Sequence, residues 1–393
     1  MSKITGNNKK ILAILMFNIF IVMVGVGLIT PIMPQLIVEF GASGQSIGLL
    51  VAAYGITQFL LSPQTGQMSD RYGRKTFIIA GAIVFAVAKF IFAIGDALWM
   101  LYTSRLLEGV AAALIVPPMV AYVADITTME ERAKGNSLLA AAMSFGFVVG
   151  PGLGGFLAGY GTRMPLYAAT GAAIAAVIVS LVWLPESLTK EQMKEARSKV
   201  TKRESFLQQY VKSLQSKYAM IFLLVMVMTF GLANYEAVLG LYVTNRFHFT
   251  PQHIAVILTA GAVIGVGMQA LLAAKAIKKF GENKTIKGSL LFVSFAYVVL
   301  LFANHFWSIF LVTSCIFFAS AMLRPALHTK LSKMAGNEQG YAAGMNNAYI
   351  SIGNILGPTL AGFLFDVNMF APFLAGSCIL LAAYLMALSK IRT

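Results

Sequence analysis

Five ionisable residues lie inside long apolar runs of this sequence: Lys89, Arg105, Glu108, Glu236 and Arg324. A charged side chain at the centre of a bilayer costs at least about 2.5 kcal/mol on insertion scales, so each is a functional candidate. Glu236 differs from the others because no cation lies near it in the sequence. Loss of hydration favours the neutral form of an isolated carboxylate, so Glu236 could bind and release a proton near neutral pH. The alternative is a glutamate that is fixed by hydrogen bonds between helices.

Of the other four candidates, Lys89, Arg105 and Glu108 form one group, and Arg324 stands apart from it. Arg105 and Glu108 are three residues apart and share one face of a helix, while Lys89 is expected at a similar depth on the preceding span. An ion pair between Lys89 and Glu108 is slightly favoured over a second proton site at Glu108. Arg324 has no evident partner in its own helix, and it either takes part in coupling or extends to the inner membrane surface.

The elements that position these residues must be membrane helices. The chain of 393 residues is 58% hydrophobic and 11% charged, with a mean hydropathy of +0.76, and a soluble globule cannot bury so many apolar side chains. Twelve apolar runs match the length of about 20 residues that a membrane-spanning helix needs. The sequence therefore predicts an all-α membrane protein with twelve transmembrane helices.

The basic residues indicate how the chain is oriented. Most of the 30 Lys and Arg residues fall in the two termini and in the loops after even-numbered spans, and cytoplasmic loops carry such an excess. Both termini are therefore expected in the cytoplasm. The net charge of +15 would suggest a nucleic-acid partner in a soluble protein. Here the orientation explains that charge, and we expect no nucleic-acid partner.

The chain contains an internal repeat. A serine, two glycines and a proline recur at identical spacings, first as Ser144, Gly146, Gly150 and Pro151 and then as Ser351, Gly353, Gly357 and Pro358. Chance matching of glycine-rich membrane helices is the alternative, but one gap-free register extends from about Gln45 to Leu157. We therefore predict two pseudo-symmetric six-helix bundles, residues 1–185 and 218–393, joined by a polar cytoplasmic linker, residues 186–217.

The loop between spans two and three reads GQMSDRYGRKT and resembles the signature loop of the major facilitator superfamily. The residues on its characteristic positions are Gly66, Asp70, Arg71, Gly73, Arg74 and Lys75. A turn with one carboxylate and three cations can pair with helix ends across the gap between the two halves and so hold one conformation. A loop that only fixes topology would explain the cations but not the glycines and the aspartate.

Two further motifs agree with this resemblance. LYTSRLLEG, centred on Arg105, is similar to the fourth-span motif of the superfamily, and GFVVGPGLGG is similar to the fifth-span motif of its antiporters. Closely spaced glycines allow tight helix packing and a proline bends the helix, so this span is expected to act as a seal and pivot. The residues assigned to it are Gly146, Gly150, Pro151, Gly154 and Gly155.

Over nearly the whole chain the pattern is similar to the twelve-span bacterial drug/proton antiporters of this superfamily. The resemblance implies the major facilitator fold, a place in the cell membrane, and export of amphipathic, often cationic, small molecules. It implies a proton gradient as the energy source, without a cofactor or metal, and we expect a monomer. It also implies that Glu236, in the segment FGLANYEAVLGLY, carries proton coupling. The residues expected to line an adaptable apolar cavity are Met23, Met143, Phe147, Tyr235, Asn346, Tyr349 and Asn354.

The sequence departs from that family pattern at three positions. The pattern has an acidic residue where Lys89 stands, a small one where Glu108 stands, and an acid where Ala321 stands, one turn before Arg324. A charge swap that keeps a buried pair explains the first two departures. The third argues against a coupling scheme with two carboxylates in the second half.

Other functions fit the sequence less well. The main alternative is export of one physiological solute, such as a sugar, an amino-acid derivative or a lipid, although the spans offer few hydrogen-bonding groups for a sugar. A membrane enzyme would need a cluster of catalytic or metal-binding side chains. The histidines are instead scattered near span ends, at His248, His253, His305 and His328. A channel would not explain a duplicated chain with loops that lock a conformation.

The predicted orientation can be tested with reporters. A reporter fused after Lys199 should behave as cytoplasmic and one inserted near Gly41 as external, because the excess of basic residues marks the cytoplasmic side. Accessibility of each reporter to a membrane-impermeant reagent measures this, and two reporters on the same side would contradict the twelve-span topology.

Overall fold

A computed structural model of the chain describes residues 6–198, 206–335 and 338–390, and this part of the chain contains helices and no strand. Twelve of the described helices are long and apolar enough to cross a membrane, which confirms the predicted number of spans. The helices of the first half are α1 (Gly6–Leu28), α2 (Met33–Glu39), α3 (Gly44–Tyr72), α4 (Arg74–Ile94), α5 (Leu98–Ile126), α6 (Met129–Ala158), α7 (Met164–Trp183) and α8 (Lys190–Ser198).

The second half begins with a short helix of the linker. Its helices are α9 (Phe206–Leu214), α10 (Ala219–Phe247), α11 (Pro251–Met268), α12 (Ala274–Leu301), α13 (Phe306–Ala335), α14 (Gln339–Val367) and α15 (Ala371–Lys390). A π-helical stretch, Gln269–Ala273, joins α11 to α12. Gly281 interrupts α12 with a φ of 79°, a conformation that glycine adopts easily.

The chain forms two compact units. Unit 1 comprises Met1–Phe40 and Ala53–Lys202, and unit 2 comprises Gly41–Ala52 and Arg203–Thr393. The start of α3 therefore groups with unit 2, whereas the sequence-based division places all of α3 in the first bundle. That division at residues 186–217 and the cytoplasmic position of the termini both stay predictions.

Within unit 1, α6 packs directly on the backbone of α1. A Cβ atom at Gly146 would lie 2.7 Å from the carbonyl oxygen of Phe20, and one at Gly150 would lie 2.8 Å from Cα of Gly27. A Cβ atom at Gly154 would also collide with the α1 backbone. Glycine at every fourth position leaves a groove along α6 that admits the backbone of α1. The predicted tight packing of this span is confirmed.

The remaining residues of this motif, Pro151 and Gly155, are buried in α6. Pro151 lies inside the helix, where it has no N–H to donate to the preceding turn. Its Cδ would lie 3.0 Å from a Cβ atom at Gly27. Pro151 is therefore part of the same helix contact, and its role as a pivot stays a prediction.

Unit 2 repeats this packing between α14 and α10. A Cβ atom at Gly353 would lie 2.6 Å from the carbonyl oxygen of Met226, and one at Gly357 would lie 2.6 Å from that of Phe230. In the repeat, Gly353 corresponds to Gly146 and Gly357 corresponds to Gly150. The repeat in the sequence is therefore also a repeat in helix packing.

The glycine contact between α1 and α6 predicts a difference in stability. Gly150→Ala should destabilise the protein by about 1–3 kcal/mol, because the added methyl group meets backbone atoms of α1 that cannot move alone. Gly171→Ala is the matched control, since nothing lies within 4 Å of a Cβ atom there and alanine favours a helix over glycine. Thermal unfolding in detergent compares the two variants, and equal unfolding temperatures would contradict the packing.

Candidate functional site

The carboxylate of Glu236 lies on a partly exposed face of α10. Arg324, on α13, lies near enough to attract this carboxylate electrostatically. The sequence places no cation near Glu236 and no acid one turn before Arg324. The attraction acts instead between two different helices of unit 2, and spacing along the sequence does not reveal it.

Tyr235 connects the helix of Glu236 to α13. Its hydroxyl lies 2.6 Å from Thr313 Oγ1, and its ring lies 5.6 Å from that of Tyr297 and 6.2 Å from that of Phe373 between centroids. Tyr235 is fully buried. It was expected to line a cavity, but here it packs between helices and holds the segment of Glu236 in place.

Arg324 and His328 lie one turn apart on α13, and both side chains are exposed although the helix is a membrane span. A guanidinium at such a place avoids lipid, so its charged end reaches either a space that water can enter or the inner membrane surface. His328 was expected to be one of several scattered histidines, although its spacing of four residues from Arg324 already placed both on one helical face.

Only part of the predicted cavity lining is accessible in the structure. Phe147 on α6 and Asn354 on α14 are exposed and remain candidates for substrate contact. In an apolar membrane helix, periodicity does not tell which face points inward. The predicted lining residues that pack against the interior of their own unit, besides Tyr235, are Met23, Met143, Asn346 and Tyr349.

A second group of charges lies in unit 1 between α4 and α5. Lys89 Nζ lies 2.8 Å from Glu108 Oε1, and Arg105 Nη1 lies 2.6 Å from Glu108 Oε2. Ser104 Oγ lies 2.7 Å from the carbonyl oxygen of Ala88 and 3.4 Å from Glu108 Oε1. The three charged side chains are at most 5% exposed. The predicted pair between Lys89 and Glu108 is confirmed, and Arg105 is a second partner.

These contacts limit what Glu108 can do. Each of its carboxylate oxygens faces a cation, so a proton can bind only where it replaces one of the two ion pairs. Arg105 also lies over the ring of Tyr54, 5.5 Å from its centroid. The arrangement favours a structural role for Glu108 over a second proton site.

The signature-like loop is shorter than its sequence suggests. Helix α3 ends at Tyr72 and α4 begins at Arg74, so only Gly73 lies between them. Gly73 has a φ of 102°, which a residue with a side chain rarely adopts. A Cβ atom there would also collide with the carboxylate of Glu186. Glycine is therefore required at this position for two reasons.

Arg74 is the centre of this loop and is buried. Its guanidinium pairs with Asp70, lies 3.2 Å from Asp125 Oδ2, and donates to Ser69 Oγ at 2.7 Å. It also lies 3.5 Å from the carbonyl oxygen of Gly66. Asp70 thus has its partner inside unit 1. The expectation that the loop pairs with helix ends across the gap between the two halves stays a prediction.

Glu186, which follows the sixth span directly, was not identified from the sequence. Its carboxylate accepts hydrogen bonds from the backbone N–H groups of Arg74 at 2.8 Å and Lys75 at 3.1 Å. It thereby caps the N-terminus of α4. The carbonyl oxygen of Arg71 accepts a hydrogen bond of 2.8 Å from Arg197 on α8. The loop is thus held by Glu186 and by Arg197, both in the segment that follows span six.

Comparison with known proteins identifies relatives over nearly the whole chain. The family model of the Major Facilitator Superfamily matches residues 15–358. Multidrug resistance protein 2 of Bacillus subtilis is 44% identical over 374 residues, which cover 95% of this chain and 93% of that protein. The quinolone resistance protein NorA of Staphylococcus aureus is 35% identical over 381 residues, covering 97% and 96% of the two chains.

Solved structures with this fold share little sequence with the chain. A bacterial homologue of the human lysosomal transporter Spinster, in an inward-facing and occupied conformation, superposes with a TM-score of 0.82 at 14% identity, covering 99% of this chain and 98% of that one. The nucleoside transporter NupG gives a TM-score of 0.78 at 14% identity, with coverage of 97% and 100%. These matches show the fold, and they confirm the fold class expected from the sequence.

The charge cluster in unit 1 predicts unequal effects of removing its members. Glu108→Gln should destabilise the protein by about 3–5 kcal/mol, because it leaves two buried cations without their carboxylate. Lys89→Met should cost much less, because Glu108 keeps its contact with Arg105. Thermal unfolding in detergent measures both variants. A larger loss for Lys89→Met would contradict the structural role, as would a stable Glu108→Gln protein that has lost proton-driven transport.

Proposed function

The chain belongs to the major facilitator superfamily, and we propose that it is a proton-coupled multidrug efflux antiporter of the plasma membrane. It exports amphipathic, often cationic, small molecules in exchange for protons. The observation that carries this proposal is the partly exposed side chain of Glu236 in a membrane span, under the electrostatic attraction of Arg324, in a chain whose curated relatives are multidrug resistance proteins.

Glu236 suits the coupling step because its charge can be used in more than one way. When the carboxylate is ionised, it can attract either Arg324 or a cationic drug. When a proton neutralises it, both attractions are lost. Drug and proton therefore compete for one group, and this competition is the physical basis of exchange.

The direction of transport follows from where Glu236 gives up its proton. In the state open to the cytoplasm it releases the proton, and the ionised carboxylate attracts a cationic drug. In the state open to the outside, where protons are more abundant, it is protonated again and the drug leaves. Arg324 supplies the counter-charge when the ionised carboxylate holds no drug, so the charge is not left unpaired at membrane depth.

Glu236 is a better coupling residue than Glu108 because of what surrounds it. Glu108 is completely buried and holds two cations at ion-pair distance. Glu236 is partly exposed, and Arg324 attracts its carboxylate electrostatically. A group that must exchange protons with water at each cycle has to be reachable and must not be locked by short ion pairs.

The accessible residues of the predicted lining suit amphipathic cations. Phe147 presents an aromatic face, which attracts cations and adapts to apolar shapes. Asn354 offers an amide that can donate and accept hydrogen bonds. The alternative is export of a single physiological solute, and comparing ethidium with simple sugars in inverted vesicles under an imposed pH gradient separates the two functions.

The proposal predicts the behaviour of Glu236→Gln. The amide mimics the protonated carboxylate and cannot lose a proton, so cells that carry this variant should fail to lower their ethidium content. Glu191→Gln is the matched control, because Glu191 is exposed on the linker helix α8 and its loss should leave export unchanged. Ethidium fluorescence in energised cells at matched expression measures both variants.

Two results would overturn this assignment. Export by Glu236→Gln at the wild-type rate, with the wild-type dependence on the pH gradient, would exclude Glu236 as the coupling group and direct the search to Glu108. Transport of a sugar but not of ethidium by the wild-type chain would replace multidrug efflux with the single-solute alternative.

A further inference from the structure

The second linker helix, α9, is attached to α14 through one buried tyrosine. The ring of Tyr349 lies between those of Tyr210 on α9 and Phe222 on α10, with centroid distances of 5.0 and 5.2 Å. Both pairs are stacked, with interplanar angles of 24° and 15°. Tyr349 is completely buried. Three helices of unit 2 therefore meet at this side chain.

A hydrogen bond fixes the same contact. The hydroxyl of Tyr349 lies 2.9 Å from Ser213 Oγ, and Ser213 is also fully buried. Ser213 Oγ donates to the carbonyl oxygen of Tyr210 at 2.6 Å. Because a serine hydroxyl has a single hydrogen, Tyr349 must be the donor in the bond that joins the two helices. The Ser213 hydroxyl thus accepts a hydrogen bond from Tyr349 on α14 and donates one to the backbone of Tyr210 on α9.

The starts of α10 and α14 are also tied by contacts that do not involve α9. Tyr218, at the beginning of α10, donates a hydrogen bond to Glu338 at the beginning of α14. Its ring lies 6.3 Å from that of Tyr341. The stacked rings and the bond from α9 are therefore an additional restraint on an existing helix pair, and removing them should not unfold unit 2.

Helix α14 carries a polar face opposite Tyr349. Asn347 and Asn354 are exposed and Ser351 is partly exposed. Asn347 lies two positions before Tyr349, Ser351 lies two after it and Asn354 five after it. At 3.6 residues per turn, all three lie about 140–200° around the helix from Tyr349. Polar side chains on a membrane span face water or protein in preference to lipid. The contacts that fix the rotation of α14 at Tyr349 therefore also fix the direction in which this polar face points.

We infer that α9 is a brace that positions α14 for substrate binding, and that Ser213, Tyr210 and Tyr349 are its positioning residues. This inference rests on the proposed transport function, because the polar face of α14 includes Asn354, a candidate for substrate contact. The linker is then more than a tether between the two halves. Its second helix keeps the cytoplasmic half of α14 in one orientation while α14 binds substrate.

A double-mutant cycle in the full chain tests the brace. Ser213→Ala removes the acceptor of the buried Tyr349 hydroxyl, and it should raise the KM for ethidium about two- to tenfold with little change in kcat. Tyr349→Phe should have a smaller effect, because Ser213 keeps its bond to the carbonyl oxygen of Tyr210. In the Tyr349→Phe background, Ser213→Ala should add little, because no hydroxyl remains to be left unpaired.

The control and the second readout separate positioning from general damage. Val211→Ala is the matched control, since Val211 is 54% exposed on the same helix. Amide hydrogen exchange on the purified protein should become faster in Ser213→Ala than in Val211→Ala across residues 346–351, and should stay unchanged in α15.

Two outcomes decide between the proposals. Wild-type exchange across residues 346–351 in both Ser213→Ala and Tyr349→Phe would overturn the brace, as would a KM in both variants equal to that of Val211→Ala. A wild-type protein that transports no ethidium would instead contradict the proposed function. In that case the exchange measurement still supports or overturns the brace by itself.

Discussion

The cost of placing charge in a membrane separates two carboxylates in the spans of this protein, Glu108 and Glu236. Glu108 offsets that cost with Lys89 and Arg105 at ion-pair distance, one on each oxygen, in a site closed to solvent. Glu236 is attracted by Arg324 on another helix, and its side chain remains partly exposed. The first arrangement gives a permanent connection between α4 and α5, and the second leaves a carboxylate that protons can reach. The division between a structural and a coupling residue follows from this difference.

Close backbone packing keeps these charges at defined positions. In both halves a glycine-bearing helix lies directly against the first span of its half, through Gly146 and Gly150 in unit 1 and through Gly353 and Gly357 in unit 2. Because the same contact occurs twice, it belongs to the duplicated architecture and not to one specific site. The two halves differ in the closed cluster around Glu108 and the open carboxylate of Glu236. The function has to be sought in these two features.

The sequence predicted the helices well, but it predicted their rotations poorly. The lengths of the apolar runs gave the twelve spans, and the spacing of three residues placed Arg105 and Glu108 on one face. Spans that are apolar all round give no signal for the inward face, so Tyr235 and Tyr349 were assigned to a cavity although both are buried between helices. Contacts between distant segments, such as that between Tyr235 and Thr313, have no local signature. Glu186 could have been found as an acid at the end of a span, close to the start of α4.

Exchange of a proton for a cationic drug at one carboxylate, Glu236, can be measured as proton release on drug binding. Purified wild-type protein in weakly buffered detergent solution near neutral pH is mixed with ethidium while a pH indicator is followed. We expect acidification of the solution as ethidium binds to the wild-type protein, and none with Glu236→Gln. Ethidium binding to the wild-type protein without proton release, or equal release from both proteins, would contradict it.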